Sequence, residues 1–342
     1  MNRRAFTRVG GLLAAALLAL GLPARSLPAQ GLTSRWTPRL QLDNDAYNFW
    51  KWHTKRPDEE YTNGVFASLD GWQAPRWARM FARSVKDCTE AQAGAPCHGA
   101  QLTVAQELYT PNLRRVPGTF ERWEDERPFF AWLFMRQASV VMTPTTRRVL
   151  AAAVGVTGGP AMGSVAQTVA HRFGVTAPPT GWDTQIGFEP GVLLEFRQGW
   201  KLPITNPIPG ARAIDIAMVP EVAASVGTIR TQWESGLAIR IGSRWTHPWY
   251  PLLSQRPAMG WWVTAGGHGA LVARDMSLDG TLRSPTRRVD RTTGYVEYAI
   301  GGGVQLGPLT LGYRAHTRSR EYATGPRQRS YSTMSITWMP SW

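Results

Sequence analysis

Gln167 and His171 stand four residues apart in a stretch where Met162, Val165, Val169 and Phe173 recur at helical spacing. On a helix such a pair shares one face, and an imidazole there can take a proton from water. Gly158-Gly159-Pro160 comes just before, and proline is tolerated in a helix's first turn. A second group is rich in oxygen donors: Asp43-Asn44-Asp45, then Asp58-Glu59-Glu60-Tyr61-Thr62-Asn63-Gly64. Carboxylate, amide, hydroxyl and carbonyl oxygens are what calcium takes, although no EF-hand spacing is present. A third group, Arg114, Arg115, Arg122 and Arg127, offers charge to an anionic substrate. Spacing alone leaves each group a plainer reading. His171 is then a polar residue of an exposed connection, the acids and amides are turn formers, and the arginines are a solvated face.

The elements that must position these groups are strands. Leu237, Ile239 and Ile241 alternate with Ala238, Arg240 and Gly242, while Leu309, Leu311 and Tyr313 alternate with Thr310, Gly312 and Arg314. Ile214, Ile216 and Met218 share a face, as do Met334, Ile336 and Trp338. Period two means strands with one apolar side. The spacing predicts twelve strands, near 36–43, 61–69, 100–110, 129–139, 145–156, 185–200, 211–226, 230–245, 260–274, 292–306, 309–322 and 328–339. A soluble sandwich turns the apolar side inward, whereas a membrane barrel turns it to lipid and keeps polar residues in the lumen. Alternation does not separate the two.

Other features favour the barrel. Arg3, Arg4 and Arg8, an apolar run from Gly11 to Leu22, and Ala24, Ser26 and Ala29 follow the order of a secretory signal peptide, expected over 1–29. Residues 30–342 are then one domain. Trp245, Trp249, Tyr250, Trp261, Trp262, Trp338 and Trp342 cluster near segment ends, as an interfacial girdle requires. Composition excludes other classes. With 43% apolar and 11% aromatic residues the chain is not disordered, and a mean hydropathy of −0.26 speaks against a helical membrane protein. Two cysteines, Cys88 and Cys97, do not make a disulfide scaffold, though in an oxidising compartment they could bridge a short loop. Loss of Arg3, Arg4, Arg8 and Arg25 takes the net charge from +14 to +10. Export makes an anionic membrane surface, rather than nucleic acid, the natural partner of that charge.

Several blocks, in order, resemble the LpxR-type lipid A 3'-O-deacylases. They are Asp43-Asn44-Asp45, Asp58 with Tyr61-Thr62-Asn63-Gly64, Tyr109-Thr110-Pro111, Glu126-Arg127-Pro128-Phe129, Gly155 to His171, Gly181-Trp182-Asp183-Thr184-Gln185, and Glu189-Pro190. The resemblance implies an all-β fold: a single antiparallel outer-membrane β-barrel of about twelve strands with a short helix in one connection. It also implies a calcium-dependent esterase, acting as a monomer, whose site faces the outer leaflet and removes the 3'-linked acyloxyacyl group of lipid A in lipopolysaccharide. His171 would be the base that activates water, with Gln167 beside it. Asn44 and Asp45 would bind or orient Ca2+, Thr62 would line the site, and Arg127 would hold a lipid phosphate or support the oxyanion. Asp183 and Glu189 match family positions without an assigned task. The sequence departs from the family at Glu59 and Glu60 and at Phe129-Phe130-Ala131, which bears on substrate more than on fold. Two alternatives remain: a phospholipase-type barrel using Ser164 with a histidine, and a non-catalytic porin-like barrel.

Overall fold

The computed structural model describes residues 36–48, 61–71, 73, 76–81, 83–88, 95–111, 125–172, 180–204, 214–243, 248–249, 259–283 and 286–339. The expected signal peptide, Asp58, Glu59, Glu60, Arg114, Arg115, Arg122, Phe173, Trp245, Tyr250 and Trp342 lie outside them. The strands are β1 (Trp36–Asn44), β2 (Tyr61–Gly71), β3 (Cys97–Tyr109), β4 (Phe130–Met142), β5 (Thr146–Thr157), β6 (Pro190–Trp200), the two-residue β7 (Leu202–Pro203), β8 (Ile214–Gly227), β9 (Arg230–Ser243), β10 (Met259–Asp275), β11 (Gly294–Leu306), β12 (Leu309–Ser319) and β13 (Gln328–Trp338). Twelve are long. They pair antiparallel in chain order, and β1–β13 and β6–β8 pairing closes the sheet on itself. Closure leaves no unpaired edge. The short β7, which lies beside β8, is the one strand the sequence pattern did not predict.

The faces are those of a membrane barrel. Ile239 is 49% exposed and its neighbour Arg240 only 6%, because alternate residues point outward and into the lumen. Leu237, Ile241, Val263, Ile300 and Leu311 are likewise exposed on the outer wall. The lumen holds ion pairs instead: Arg39 with Asp70 at 2.5 Å, Lys201 with Asp215 at 2.6 Å, and Arg136 with Glu195. Among the described residues no helix is long and apolar enough to cross a membrane.

The two ends differ. One gathers the start of β1, the end of β13, the tight turns 143–145 and 307–308, and the loop closed by a Cys88–Cys97 disulfide. Exposed Trp36, Trp261 and Trp338 form a girdle at this terminal end. Trp249 and Trp262, expected in that girdle, are turned into the lumen. Trp249 packs on Met142 and Val149 in an apolar floor, and Trp262 falls on the inward parity of β10. Sequence clustering at segment ends cannot distinguish the two faces of a strand. The opposite end carries the described parts of the connections that follow β1, β3, β5, β10 and β12, and the described expected site residues belong to it.

The helix spans Gly163–Arg172, entered through a 3-10 turn, Gly159–Ala161, that contains Pro160. Gly158 opens this turn at φ 69°, and a Cβ there would meet the Gly187 backbone at 2.7 Å. Only glycine takes that conformation freely. A single-turn helix, Met276–Asp279, was not expected. Asp275 caps it by accepting from the Ser277 amide at 2.9 Å.

Candidate functional site on the outer wall

The helix does not bury its apolar stripe. Met162, Val165 and Val169 are exposed, and its inward face is instead Gly163, Gln167 and His171, one turn apart each. Gly163 and Ala161 press against Leu108, Phe129, Ala131 and Trp182. Leu108 of β3 and Ala131 of β4 point out of the barrel, on parity opposite to the lumenal Tyr109 and Phe130. The helix therefore lies on the outside of the wall, its polar residues toward β3 and β4 and its valines facing away.

Close contacts fix its position. A Cβ on Gly163 would meet the Trp182 ring at 2.4 Å and Ala131 at 2.7 Å, so the missing side chain is what permits the approach. Gln106 Nε2 donates to the Ala161 carbonyl at 2.5 Å. Trp182, whose ring sits 5.0 Å from that of Phe129, donates through Nε1 to Gln167 Oε1 at 2.5 Å. That bond fixes the buried Gln167 carboxamide with its NH2 as the remaining donor. His171, half-buried, follows on the same face.

Asn44 and Asp45 sit at the same end of β1. By alternation Asn44 points outward, while Asp43 points into the lumen near Glu107 and Tyr331. Asp45 is buried and opens a 3-10 turn, Asp45–Tyr47. Tyr313 OH and Asn48 anchor this turn, donating to the Tyr47 carbonyl at 2.9 Å and the Ser330 carbonyl at 2.8 Å. Burial pushes the Tyr47 phenol up from its ordinary pKa. Strand β2 lies between Asn44 and the helix-bearing wall, with Asp43 opposite Gly64 and Asn63 opposite Leu108. Two strand spacings, roughly 10 Å, thus separate Asn44 from Leu108 along the wall. Thr62 falls in a bulge of β2 between Asn63 and Tyr61, and its side chain lies outside the described residues.

Asn44 and Asp45 offer adjacent amide and carboxylate oxygens, which suits a hard cation and not a thiolate- or imidazole-binding metal. Among the described residues no group of three or more His, Cys, Asp or Glu gathers as a metal cage.

Arg127, expected to meet a phosphate, is fully buried. Its Nη2 donates to Ser277 Oγ at 3.0 Å, Nη1 lies 3.7 Å from Glu321 Oε2, and the guanidinium covers the Tyr109 ring at 4.3 Å. Arg318 and Arg329 also pair with Glu321, at 3.0 and 2.7 Å. Burial alone would raise the Glu321 pKa, but Arg329, Arg318 and Arg127 pull it down to about 2. Arg127 is in the position of a tie between connections. Glu189, also buried, accepts from the Leu282 amide at 2.7 Å and so joins the helix connection to 276–293. Asp183 is exposed on the Trp182–Thr184 turn. Sequence reasoning passed over Trp182 and Gly163 as parts of the site. The signal available was Gly163 at four-residue spacing before Gln167 and His171.

Ser164 is exposed, off the face that holds His171. Above the lumen, Ile186, Ile229 and Met276 pack with Phe130, Trp132, Phe134 and Tyr331 into an apolar plug.

The family model described as Outer membrane protein LpxR matches residues 12–339. No curated protein matches the sequence. LpxR from Salmonella typhimurium superposes with a TM-score of 0.70 at 20% identity, over 89% of this chain and 100% of that one. The β domain of the Bordetella autotransporter BrkA reaches 0.44 at 12% identity, over 90% and 100%. The translocator domain of NalP from Neisseria meningitidis reaches 0.43 at 9%, over 98% and 99%.

Proposed function

The chain belongs to the LpxR family of outer membrane proteins, and from that premise we propose that it hydrolyses the 3'-linked acyloxyacyl ester of lipid A, with its site open to the outer leaflet. The observation that carries this reading is the helix on the outside of the wall. Its polar face holds Gln167 and His171 against the barrel and its valines face away, so a lipid ester reaches the imidazole sideways from the bilayer without entering the lumen.

His171 takes a proton from water as the oxygen attacks the ester carbonyl carbon. The proton is then delivered to the departing sugar oxygen, leaving a free fatty acid and a sugar hydroxyl. Gln167, fixed through its oxygen by Trp182, keeps its NH2 to hold water or substrate. Asn44 and Asp45 would hold a calcium ion, which when bound supplies positive charge to a developing oxyanion. Thr62 would line the same site, and Arg127 acts as the tie that keeps the rim closed beneath it. The barrel closes within one chain, and the monomer is proposed as the working form.

The two alternatives have weaker support. A serine mechanism through Ser164 needs a side chain beside His171, and Ser164 lies off that face. A porin needs an open lumen, and the apolar plug fills the helix end.

The test is mass spectrometry of lipid A from cells producing the wild type or His171→Ala. The expected result is loss of the 3'-acyloxyacyl mass in the wild type alone, with the rate reduced about 10²- to 10⁴-fold in the variant and heat-modifiable folding retained. Intact lipid A beside a folded wild-type barrel overturns the reading.

A further inference from the structure

Away from the helix, the lumen holds a cavity of about 390 Å³ walled by β5, β6 and β8 to β12. Arg147, Arg197, Arg240 and Arg314 line it, against the carboxylates Glu221 and Glu297. Both carboxylates are already engaged. Glu221 pairs with Arg197, which also reaches Glu234 at 3.3 Å. Glu297 accepts from Arg318 Nε at 2.7 Å and from Tyr331 OH at 3.0 Å, and its other oxygen meets His316 Nδ1 at 3.0 Å. Arg240 lies 5.8 Å over the Trp262 ring. Arg147 and Arg314 make no hydrogen bond or ion pair with any described residue. The cavity therefore encloses an excess of guanidinium charge above the apolar floor that contains Trp249.

We infer that this cavity is a binding site for a small tetrahedral oxyanion of the phosphate class, held by Arg147 and Arg314. Guanidinium groups present paired N–H donors that match phosphate oxygens. Like charges confined between protein walls repel more strongly than in bulk water, and a bound anion relieves that repulsion. The volume admits inorganic phosphate with its waters, or a small phosphate monoester. The site is lumenal, so it is separated from the helix face by the barrel wall and stands independently of the deacylase reading.

The test is titration calorimetry of the full-length protein in detergent with inorganic phosphate, at constant ionic strength set with chloride. Saturable binding is expected, weakened about tenfold or more by Arg314→Gln and by Arg147→Gln. Glycerol phosphate forms a second arm: displacement of phosphate marks a monoester as the ligand class, and failure to displace marks the free anion. Because Arg314 is exposed to the lumen, its replacement is expected to leave heat-modifiable folding and lipid A deacylation unchanged. The inference is overturned by absence of saturable binding in the wild type, by equal binding of chloride, or by unaltered affinity in both variants.

Discussion

At the residue scale, the proposed chemistry depends on oxygen donors at the end of β1 and an imidazole on the helix. Asp45 is buried beside the outward Asn44, and a carboxylate there binds a divalent cation far better than its isosteric amide does. Chelation with EDTA is expected to stop deacylation and added calcium to restore it, while Asp45→Asn requires at least tenfold more calcium for half-maximal rate. A lipid A deacylation assay over a calcium series checks both. Full activity in EDTA would refute the calcium assignment and leave His171 as base untouched. The residue scale also reassigns Arg127. A buried guanidinium with Glu321 and Ser277 as partners is stripped of them only at a cost of several kcal/mol.

At the element scale, function depends on how closely one short helix approaches a sheet. Gly163 sits where the Trp182 ring and Ala131 leave no room for a methyl group. Gly163→Ala is expected to lift the helix from the wall, break the Trp182–Gln167 bond, and lower deacylation about tenfold or more. The barrel itself should remain heat-modifiable, because the strands do not depend on the helix. Proteolysis within 158–189 is expected to quicken in parallel. An active Gly163→Ala enzyme with unchanged protease resistance would show that the approach is not required.

At the scale of the whole molecule, the outer wall and the cluster of charges at the helix end make separate demands. Ile239 faces lipid midway along β9, so Ile239→Arg is expected to destabilise the barrel in vesicles by about 2–4 kcal/mol, and less in detergent. Urea unfolding in each medium measures this. Glu321 responds to acid. Its folded pKa of about 2 lies below the 4.5 of a free glutamate, so its contribution is fully present above about pH 4.5 and is lost as the pH falls toward 2. The wild type is therefore expected to exceed Glu321→Gln in stability at pH 7, with the gap narrowing between pH 4.5 and pH 2. A gap independent of pH would contradict the ion-pair account.

The sequence by itself determined the strands, because the period-two alternation that builds each one is a local property and survives without knowledge of partners. The choice of a membrane barrel over a sandwich came from the signal-peptide order, the aromatic segment ends and the family blocks. Twelve long strands stand close to where that pattern puts them, and the short helix follows Pro160 as expected. Local pattern also located Gln167 and His171 on one helical face. It could not say which side of the wall that face meets, since the apolar Met162, Val165 and Val169 read as a core stripe in water and as a lipid-facing stripe in a membrane. Nor could it distinguish an arginine offered to a ligand from one tied to Glu321, nor a girdle tryptophan from Trp249 in the lumen floor. Those assignments rest on contacts between residues far apart in the chain, such as Arg127 with Ser277, 150 positions on, and Glu189 with Leu282, 93 positions on. Such contacts exist only after the sheet has closed, and closure is what brings the helix, the end of β1 and the far connections to one rim.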